Sequence, residues 1–349
     1  MAKNSEYQIK LRQDKLNKLH NMEKLLPTYV LPYLDEKELN SQINTAVSYA
    51  YDLHTFFEYL IESNPMLKNT PIRNVPLELL EELNFQDIND FQKYLAFNDG
   101  ENKHSNESKG IARRMAALRG FFEYQCVHGY MKNNPTVGAA KQKREKDHVI
   151  VRMNADEVHR LIDISENSSL SNERQRMFCE KTQLRDTAIF ILLLNTGIRV
   201  SELVGLDIDD INFEESSFVV VRKGGGTATL YFNDEVSAAL MEYIEIERPV
   251  YCASEDEKAL FLSMQKKRMT VRSVQLMVKK YTKEAVPEKH LTPHKMRSTY
   301  GTALYQQSGD IRLVADVLGH KDINTTAKHY AAIEEEHRKQ AAKFNPYSQ

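Results

Sequence analysis

The chain has 349 residues, of which 41% are hydrophobic and 28% are charged, and its formal net charge is −2. This length allows two domains, and the composition is typical of a globular rather than a disordered protein. No stretch approaches 18 uncharged apolar residues, the N-terminus lacks the apolar segment of a secretory signal, and three widely spaced cysteines argue against a disulfide framework. We therefore expect a cytoplasmic protein with reduced thiols and no membrane partner.

Helical periodicity dominates the first 140 residues. Apolar residues recur at near-helical spacing in INTAVSYAYDLHTFFEYLIE (43–62), namely Val47, Tyr51, Leu53, Phe57, Leu60 and Ile61. They recur again in IARRMAALRGFFEYQCVHGY (111–130), namely Ile111, Met115, Leu118, Phe121 and Phe122. Gly129 and Asn134-Pro135 predict the end of this second helix. We expect a helical N-terminal domain over residues 1–142.

Positive charge is concentrated around the second of these helices. Residues 103–152 contain eleven Lys or Arg against four Asp or Glu, whereas 75–102 is mostly acidic. Such asymmetry fits one face turned towards a polyanion. A solvated helix face followed by a charged linker explains the same excess equally well. On the first interpretation Arg113, Arg114 and Arg119 are candidate DNA-binding residues on the face of the helix that meets DNA.

The segment AAKQKREKDHVIVRM (139–153) is charged and aperiodic, and predicts a linker over residues 143–152. A second domain then covers 153–349, mostly helical with one hairpin in SFVVVRKGGGTATLYF (217–232). TPHKMRSTYGTALYQQSG (292–309) predicts a helix with Thr292 as N-cap and Gly309 near its end. We expect Tyr300 and Tyr305 of this helix to face the core, and Asp322 to cap a short helix through Tyr330.

Four segments carry polar side chains whose types suit phosphate chemistry. Singly each signal is weak, since a lone arginine usually lies at the surface. The candidates are Arg199 and Glu202 in TGIRVSEL, Lys223 in RKGGGT, His294 and Arg297 in HKMR, and His320 and Tyr330 in LGHKDINTTAKHY.

Read jointly, these residues describe one reaction. Two arginines can hold a phosphate through charge-assisted hydrogen bonds, and histidines can donate to oxygens that gain charge in the transition state. A tyrosine can attack phosphorus, provided that a base or a cationic pocket helps it lose its proton. Lys223 at a hairpin turn can protonate the leaving alkoxide, and Glu202 can orient Arg199, one turn away.

The order Arg, Lys, His-x-x-Arg, Leu-Gly-His, Tyr resembles the tyrosine recombinase (phage integrase) family. TGIRVSELVGL, TPHKMRSTYGTAL and VLGHKDINTTAKHY look like motif boxes of that family, and RMAALRGFFEYQCVHGYMKNNP looks like the end of its helical DNA-clamp domain. The N-terminal KLLPTYVLPYL is similar to XerS-type recombinases. The resemblance implies a mainly α (α+β) fold: an N-terminal helical core-binding (SAM-like) domain and a catalytic domain of helices with a small antiparallel sheet.

By that resemblance, Arg199, Lys223, His294, Arg297 and His320 form a phosphate-activating pocket and Tyr330 is the nucleophile. Cleavage leaves a 3′-phosphotyrosyl link without metal, ATP or another cofactor, and exchange proceeds through a Holliday junction. The implied partners are double-stranded DNA with a specific recombination site, a homotetramer with a dimer on each site, and in some systems an accessory DNA-binding or excisionase protein. The C-terminal EEEHRKQAAKFNPYSQ corresponds to the segment that docks on a neighbouring protomer.

Two positions depart from the family pattern. Ser298 follows Arg297 where many members have a second histidine. Tyr330 lies ten residues after His320, one more than in Xer members, so that His329 stands at the shorter spacing. The longer spacing favours an integrase of a mobile element, whereas the XerS-like N-terminus favours resolution of chromosome dimers. Lys223 is the expected hairpin cation, and the neighbouring Arg222 is easily mistaken for it.

Three other hypotheses account for part of the pattern. A zinc site at His294, His320 and His329 lacks cysteine partners and a tight histidine pair. A DNA-binding module without catalysis explains the basic window but gives no reason for Tyr330 or Lys223. A type IB topoisomerase uses the same phosphotyrosine chemistry to relax supercoils. Dependence on two specific sites and a tetramer would separate a recombinase from a topoisomerase.

Overall fold

A computed structural model of the chain describes residues 6–97, 108–141, 151–222, 225–254, 257–320 and 323. The chain divides into two compact units, Asn4–His148 and a second that begins at Val149. Among the described helices, none is both long and apolar enough to cross a membrane. Tyr330, the predicted helix before it and most of the predicted linker lie outside the described residues.

The N-terminal unit is built from helices. Those described are α1 (Glu6–Glu23), α2 (Leu31–Asn40), α3 (Ile43–Ser63), α4 (Leu77–Glu81), α5 (Phe85–Phe97) and α6 (Ser108–Val127). The apolar stripe predicted for α6 is buried, and the helix ends just before Gly129, whose φ of 73° suits a glycine. Edge-to-face aromatic pairs join α3, α5 and α6, in which Phe56 contacts Phe91 and Phe122.

The predicted helix around Tyr51 is present, but Tyr51 itself is 51% exposed. The face of α3 that packs against the other helices carries the small residues Ala46 and Ala50 together with Leu53 and Phe57, all fully buried. Small residues allow neighbouring helices to approach closely although they contribute little to a hydrophobic pattern. The buried stripe is therefore rotated away from Tyr51.

The C-terminal unit surrounds one buried helix. Its helices are α7 (Ala155–Glu166), α8 (Glu173–Glu180), α9 (Gln183–Thr196), α10 (Val200–Leu203), α11 (Asp234–Glu242), α12 (Arg248–Tyr251), α13 (Val271–Ala285), α14 (Pro293–Ser308) and α15 (Ile311–Leu318). Residues 188–193 of α9 are all buried. Helices α7, α11 and α14 pack around α9, which explains why its residues 188–193 are apolar on every side.

A small antiparallel sheet lies beside these helices. Its strands run in the order β1 (Ile211–Asn212), β2 (Ser217–Val221) and β3 (Thr227–Tyr231). Strands β2 and β3 form the predicted hairpin, with Val220 paired to Ala228. The observed architecture confirms the predicted mainly α fold with a small antiparallel sheet.

Candidate active site

The candidate site begins where α9 ends, at the TGIR segment. Gly197 caps α9 in the left-handed region, with φ of 60°. A Cβ atom at this position would lie 2.5 Å from Cδ1 of Tyr300 and 2.9 Å from Cδ2 of Leu318. Both the backbone conformation and the close packing therefore require glycine. This turn holds the segment that follows, including Arg199, against α14 and α15.

Arg199 and Glu202 are joined by two hydrogen bonds. The Arg199 backbone N–H donates to Oε2 of Glu202 at 3.0 Å, and its guanidinium donates to Oε1 at 2.9 Å. The Glu202 side chain is only 3% exposed, whereas that of Arg199 is 31% exposed. A buried carboxylate needs such partners to offset the loss of hydration. The pair fixes the direction of the Arg199 guanidinium while leaving part of it accessible.

Arg297 and His294 lie on α14, which has the predicted N-cap Thr292 and the predicted C-cap Gly309. Arg297 is buried and donates hydrogen bonds to the carbonyl oxygens of Gly197 and Leu318. His294 lies one turn earlier in the same helix and is exposed. Arg297 thus ties the end of α9 to the end of α15.

His320 follows a glycine-capped helix end. Gly319 has φ of 59°, and the backbone N–H of His320 donates to the Ala315 carbonyl at 2.8 Å. With the bond from Gly319 N–H to the Asp316 carbonyl, this is a Schellman motif, which defines the backbone of both residues. Arg199 donates to the Gly319 carbonyl at 3.1 Å. The backbone of the residue preceding His320 is therefore in direct contact with Arg199.

Three arginines converge on this helix end. Arg199 donates to the carbonyl of Gly319, Arg297 to that of Leu318, and Arg222 to those of Leu318 and Val317 at 3.3 and 3.2 Å. The final carbonyls of a helix lack partners within the helix and carry partial negative charge, so cations are favoured there. Two of these guanidinium groups, those of Arg199 and Arg222, also contact the buried carboxylate of Glu202.

Neighbouring tyrosines are poorly suited to attack phosphorus. Tyr300 and Tyr305 are each half-buried, and both pack against the small cluster formed by Val314 and Leu318. Their predicted position towards the core is therefore only partly observed. Burial raises the pKa of the Tyr300 hydroxyl, which opposes formation of a phenolate there.

Lys223 and Tyr330 lie outside the described residues, as does His329. Within the described ranges, the structure brings Arg199, Glu202, Arg297 and His320 together, with His294 one turn from Arg297. The same ranges contain no group of three or more His, Cys, Asp or Glu side chains arranged to hold a metal ion.

Two family models match the chain. Residues 151–337 match the phage integrase family and residues 25–143 match the phage integrase SAM-like domain. The chain belongs to the phage integrase family. It is a tyrosine recombinase, an enzyme of DNA strand breaking and rejoining in site-specific recombination, which confirms the resemblance inferred from the motif boxes.

Sequence similarity to curated relatives covers most of this chain. Tyrosine recombinase XerC of Caldanaerobacter subterraneus subsp. tengcongensis is 34% identical over 315 residues, covering 88% of this chain and 82% of the relative. Tyrosine recombinase XerS of Streptococcus mutans is 30% identical over 348 residues, covering 93% and 97%. The similarity to XerS therefore extends well beyond the N-terminal segment KLLPTYVLPYL.

Solved structures share the fold at lower identity. The integrase of transposon Tn1549 in complex with a circular intermediate DNA superposes with a TM-score of 0.62 at 17% identity, covering 89% of this chain and 98% of that one. XerH bound to a palindromic difH substrate, in a post-cleavage complex, gives a TM-score of 0.61 at 17% identity and covers 86% and 79%.

Arg222 is a residue of the candidate site to which the motifs alone did not assign a role. Its side chain is 15% exposed and its guanidinium lies 3.5 Å from Oε1 of Glu202. Alternation along β2 provides a signal, because Phe218 and Val220 are buried and residues two apart on a strand share a face. The next position on that face is Arg222, which is therefore expected to point inward.

The candidate DNA-binding arginines lie on α6, in the N-terminal unit. Arg113 forms two hydrogen bonds with the buried carboxylate of Asp52, at 2.5 and 2.8 Å, and Arg114 lies 4.0 Å from it. The Arg113 side chain remains 51% exposed, and Arg114 and Arg119 are partly buried. Burial raises the pKa of Asp52, and Arg113 partly offsets that rise. Arg113 thus has a partner within the protein as well as an accessible edge.

Proposed function

We propose that this recombinase cleaves a DNA strand at a specific site through attack by Tyr330 on the scissile phosphate. The observation that carries the proposal is the convergence of Arg199 and Arg297 on the backbone beside His320, at the Gly319 and Leu318 carbonyls, with Arg199 held by the buried carboxylate of Glu202. Such a cluster has excess positive charge, and its accessible members, Arg199 and the partly buried His320, suit the oxygens of a phosphodiester.

Each proposed role follows from the chemistry of the side chain. The Tyr330 hydroxyl releases its proton to solvent water, and its oxygen forms a bond to phosphorus while the bond from phosphorus to the 5′-oxygen breaks. Arg199, His294, Arg297 and His320 stabilise the charge that builds on the non-bridging oxygens, either by contact or, for the buried Arg297, by charge close to the phosphate. Lys223 gives a proton to the departing 5′-oxygen, and Glu202 holds Arg199 in place. The products are a 3′-phosphotyrosyl link and a free 5′-hydroxyl.

Religation uses the same groups in reverse. One phosphodiester is exchanged for another ester of similar energy, so this scheme requires neither a metal nor ATP. A 5′-hydroxyl from a partner strand attacks the phosphotyrosyl link, takes the place of Tyr330 and returns the proton to Lys223. Two such exchanges, through a Holliday junction, join two DNA sites. The recombinase then acts as a tetramer with a dimer on each site, with accessory DNA-binding or excisionase proteins in some settings.

We assign these tasks to parts of the chain as follows. Residues 1–142 form a helical clamp, with Arg113, Arg114 and Arg119 towards DNA, residues 143–152 link the domains, and residues 153–349 form the catalytic domain. Its last residues, 334–349, dock on a neighbouring protomer. Double-stranded DNA in the cytoplasm is the substrate. The solved neighbours of the same fold, XerH and the Tn1549 integrase, are complexes with DNA, which supports this choice.

The test uses DNA that traps the covalent product. Genomic fragments retained by the Tyr330→Phe variant supply the site, and a duplex of that sequence with a nick beside the scissile phosphate loses its short 5′-hydroxyl fragment after cleavage. The wild-type protein should form a covalent adduct without added metal, and Tyr330→Phe should form none. Plasmids with one or two copies of the site separate recombination, which needs two, from topoisomerase-like relaxation. Binding without any adduct would contradict the proposal.

A further inference from the structure

Arg222 lies between the hairpin and the end of α15. It directly follows β2, and its backbone N–H donates to the Gly226 carbonyl at 2.7 Å, which closes the hairpin at this point. Its guanidinium reaches three acceptors on two other elements: Oε1 of Glu202 at 3.5 Å, the Leu318 carbonyl at 3.3 Å and the Val317 carbonyl at 3.2 Å. One side chain therefore joins the hairpin to α10 and α15.

The guanidinium also packs against the turn that leads to His320. A Cβ atom on Gly319 would lie 2.8 Å from Cζ and 2.9 Å from one terminal nitrogen of Arg222. Only a residue without a side chain leaves room for the guanidinium at this place. The Gly319 backbone is thus enclosed by Arg222 on this side and bonded to Arg199 through its carbonyl.

Arg222 shares two of these acceptors with other arginines, because the Leu318 carbonyl also accepts from Arg297 and Oε1 of Glu202 also accepts from Arg199. Val317 and Leu318 are in the last turn of α15, where carbonyl groups need partners from outside the helix. Glu202 is buried, so loss of a cation from its surroundings leaves its charge less well compensated. Removal of Arg222 would relax both the helix end that precedes His320 and the carboxylate that orients Arg199.

We infer that Arg222 is a positioning residue, which holds the Gly319–His320 turn and Glu202 in one arrangement so that His320 and Arg199 meet the same phosphate. The inference rests on the proposed function for the identity of that phosphate. It also assigns the two neighbouring cations of the hairpin different tasks. A guanidinium does not give up its proton at neutral pH, and that of Arg222 donates to carbonyl and carboxylate oxygens of the protein. Arg222 is therefore not the proton donor.

The experiment compares Arg222→Ala and Arg222→Lys with Arg160→Ala. Arg160 is a matched control because it donates to the carbonyl of Ala285 at the end of α13, so it also joins an arginine to a helix end. Lysine keeps the charge of Arg222 but cannot present a planar fork to several acceptors. The trapping duplex described above gives the adduct rate in a single turnover, a duplex without the nick gives DNA affinity, and hydrogen exchange reports on the amides of Gly319 and His320.

We expect both Arg222 variants to form the adduct about tenfold to a hundredfold more slowly, as is usual when reacting groups are slightly misplaced. Affinity for the intact duplex should hardly change, the Gly319 and His320 amides should exchange faster, and Arg160→Ala should match the wild type in all three. A duplex with sulfur in place of the bridging 5′-oxygen needs no proton donor, because a thiolate leaves readily. It should not restore the adduct rate of Arg222→Lys.

Several outcomes would overturn the inference. Wild-type adduct rates in both variants would show that Arg222 is dispensable, and recovery on the sulfur duplex would make it part of the proton donor. Unchanged exchange at Gly319 and His320 would show that it does not hold the turn. Hydrogen exchange needs no DNA, so it tests the positioning of the turn even if the wild-type protein forms no adduct. A wild-type protein that forms no adduct would count against the proposed function and leave the positioning role of Arg222 to be decided by hydrogen exchange.

Discussion

Glu202 accepts hydrogen bonds from both the backbone N–H and the guanidinium of Arg199, at 3.0 and 2.9 Å, while its side chain is 3% exposed. The same carboxylate lies 3.5 Å from the guanidinium of Arg222. One buried acid thus sets the direction of the arginine that we place on the phosphate. The stability of the fold and the readiness of the site for chemistry are therefore coupled at this residue.

Replacement of Glu202 by Gln should reduce both the stability of the fold and the rate of adduct formation. Hydrogen bonds to charged groups contribute about 1.5–3 kcal/mol each, so we expect the free energy of unfolding to fall by about 1–3 kcal/mol. The adduct rate should fall further than DNA affinity, because Arg199 loses its orientation but keeps its charge. Urea unfolding and single-turnover trapping measure the two effects. Glu214→Gln, at an exposed position, is the control, and equal behaviour of the two variants would contradict the role of Glu202.

Gly197 can be tested against a second glycine in the same conformation. Gly197 and Gly309 both cap helices in the left-handed region, but a Cβ atom at Gly309 would meet nothing within 4 Å. Gly309→Ala should cost only the conformational penalty, about 1–2 kcal/mol. Gly197→Ala adds a clash with Tyr300 and Leu318, so it should lower the unfolding free energy clearly more and slow adduct formation. Equal losses in both variants would show that the packing at Gly197 is loose.

Glu247 makes the stability of the C-terminal unit depend on pH. Its Oε2 accepts from the backbone N–H groups of Leu184 and Arg185 at the start of α9, while Oε1 is buried and has no hydrogen-bond partner among the described residues. Burial raises the pKa of this carboxyl to about 7. The folded state then binds the proton more tightly than the unfolded chain. This contribution is fully present below the usual pKa near 4.5 and is lost as the pH rises through 7.

The wild-type protein should therefore lose stability relative to Glu247→Gln between pH 5 and 8. Each pKa unit corresponds to about 1.4 kcal/mol, so the difference between the two proteins should change by about 3 kcal/mol across this range. Urea unfolding at several pH values measures it. Parallel pH profiles for the two proteins would rule out Glu247 as the titrating group.

Lys223 should act on the leaving group alone. Lys223→Ala should slow adduct formation on an ordinary phosphodiester by about a hundredfold, within the range for loss of general acid catalysis. Sulfur at the bridging 5′-position should restore the rate, in contrast to its predicted failure with Arg222→Lys. Lys267→Ala, at an exposed turn, serves as the control. A Lys223→Ala protein that stays slow on the sulfur duplex would assign the proton to another residue.

If Arg113, Arg114 and Arg119 contact DNA phosphates, they should make DNA affinity depend on salt concentration. Each phosphate contact contributes about 0.9 to the slope of log affinity against log salt concentration, so the Arg113→Ala, Arg114→Ala, Arg119→Ala triple variant should bind more weakly with a shallower slope. Because Arg113 also pairs with buried Asp52, the variant should carry Asp52→Asn as well, which avoids an uncompensated charge. Two variants serve as controls. Lys93→Ala removes a positive charge on α5, and Asp52→Asn alone shows the effect of that change without loss of the arginines. An unchanged affinity and slope would show that this face of α6 does not meet DNA.

Local patterns in the sequence predicted much of the fold. Helix α6, the β2–β3 hairpin and the caps of α14 each depend on residues that are close in the chain, and all are observed. The pairing of Arg199 with Glu202 could also be predicted from local sequence, because the two residues are only one helical turn apart.

The remaining features depend on contacts between distant segments. Arg222 and Leu318 are 96 positions apart, so no local spacing indicates their hydrogen bond, although strand alternation places Arg222 on the buried face. Arg113 was predicted only as a DNA contact, because its partner Asp52 lies 61 positions away on another helix. Helical spacing places Tyr51 in the apolar stripe of α3, but the small residues Ala46 and Ala50 determine which face packs.

The chemical identity of the covalent adduct tests the central claim most directly. Protein trapped on the nicked duplex would be digested with protease and nuclease, and the peptide that carries the nucleotide would be sequenced by mass spectrometry. We predict a nucleotide on Tyr330 through a phosphotyrosyl bond that survives acid. An acid-labile adduct on His329, nine residues after His320, or an adduct on any other residue, would contradict Tyr330 as the nucleophile.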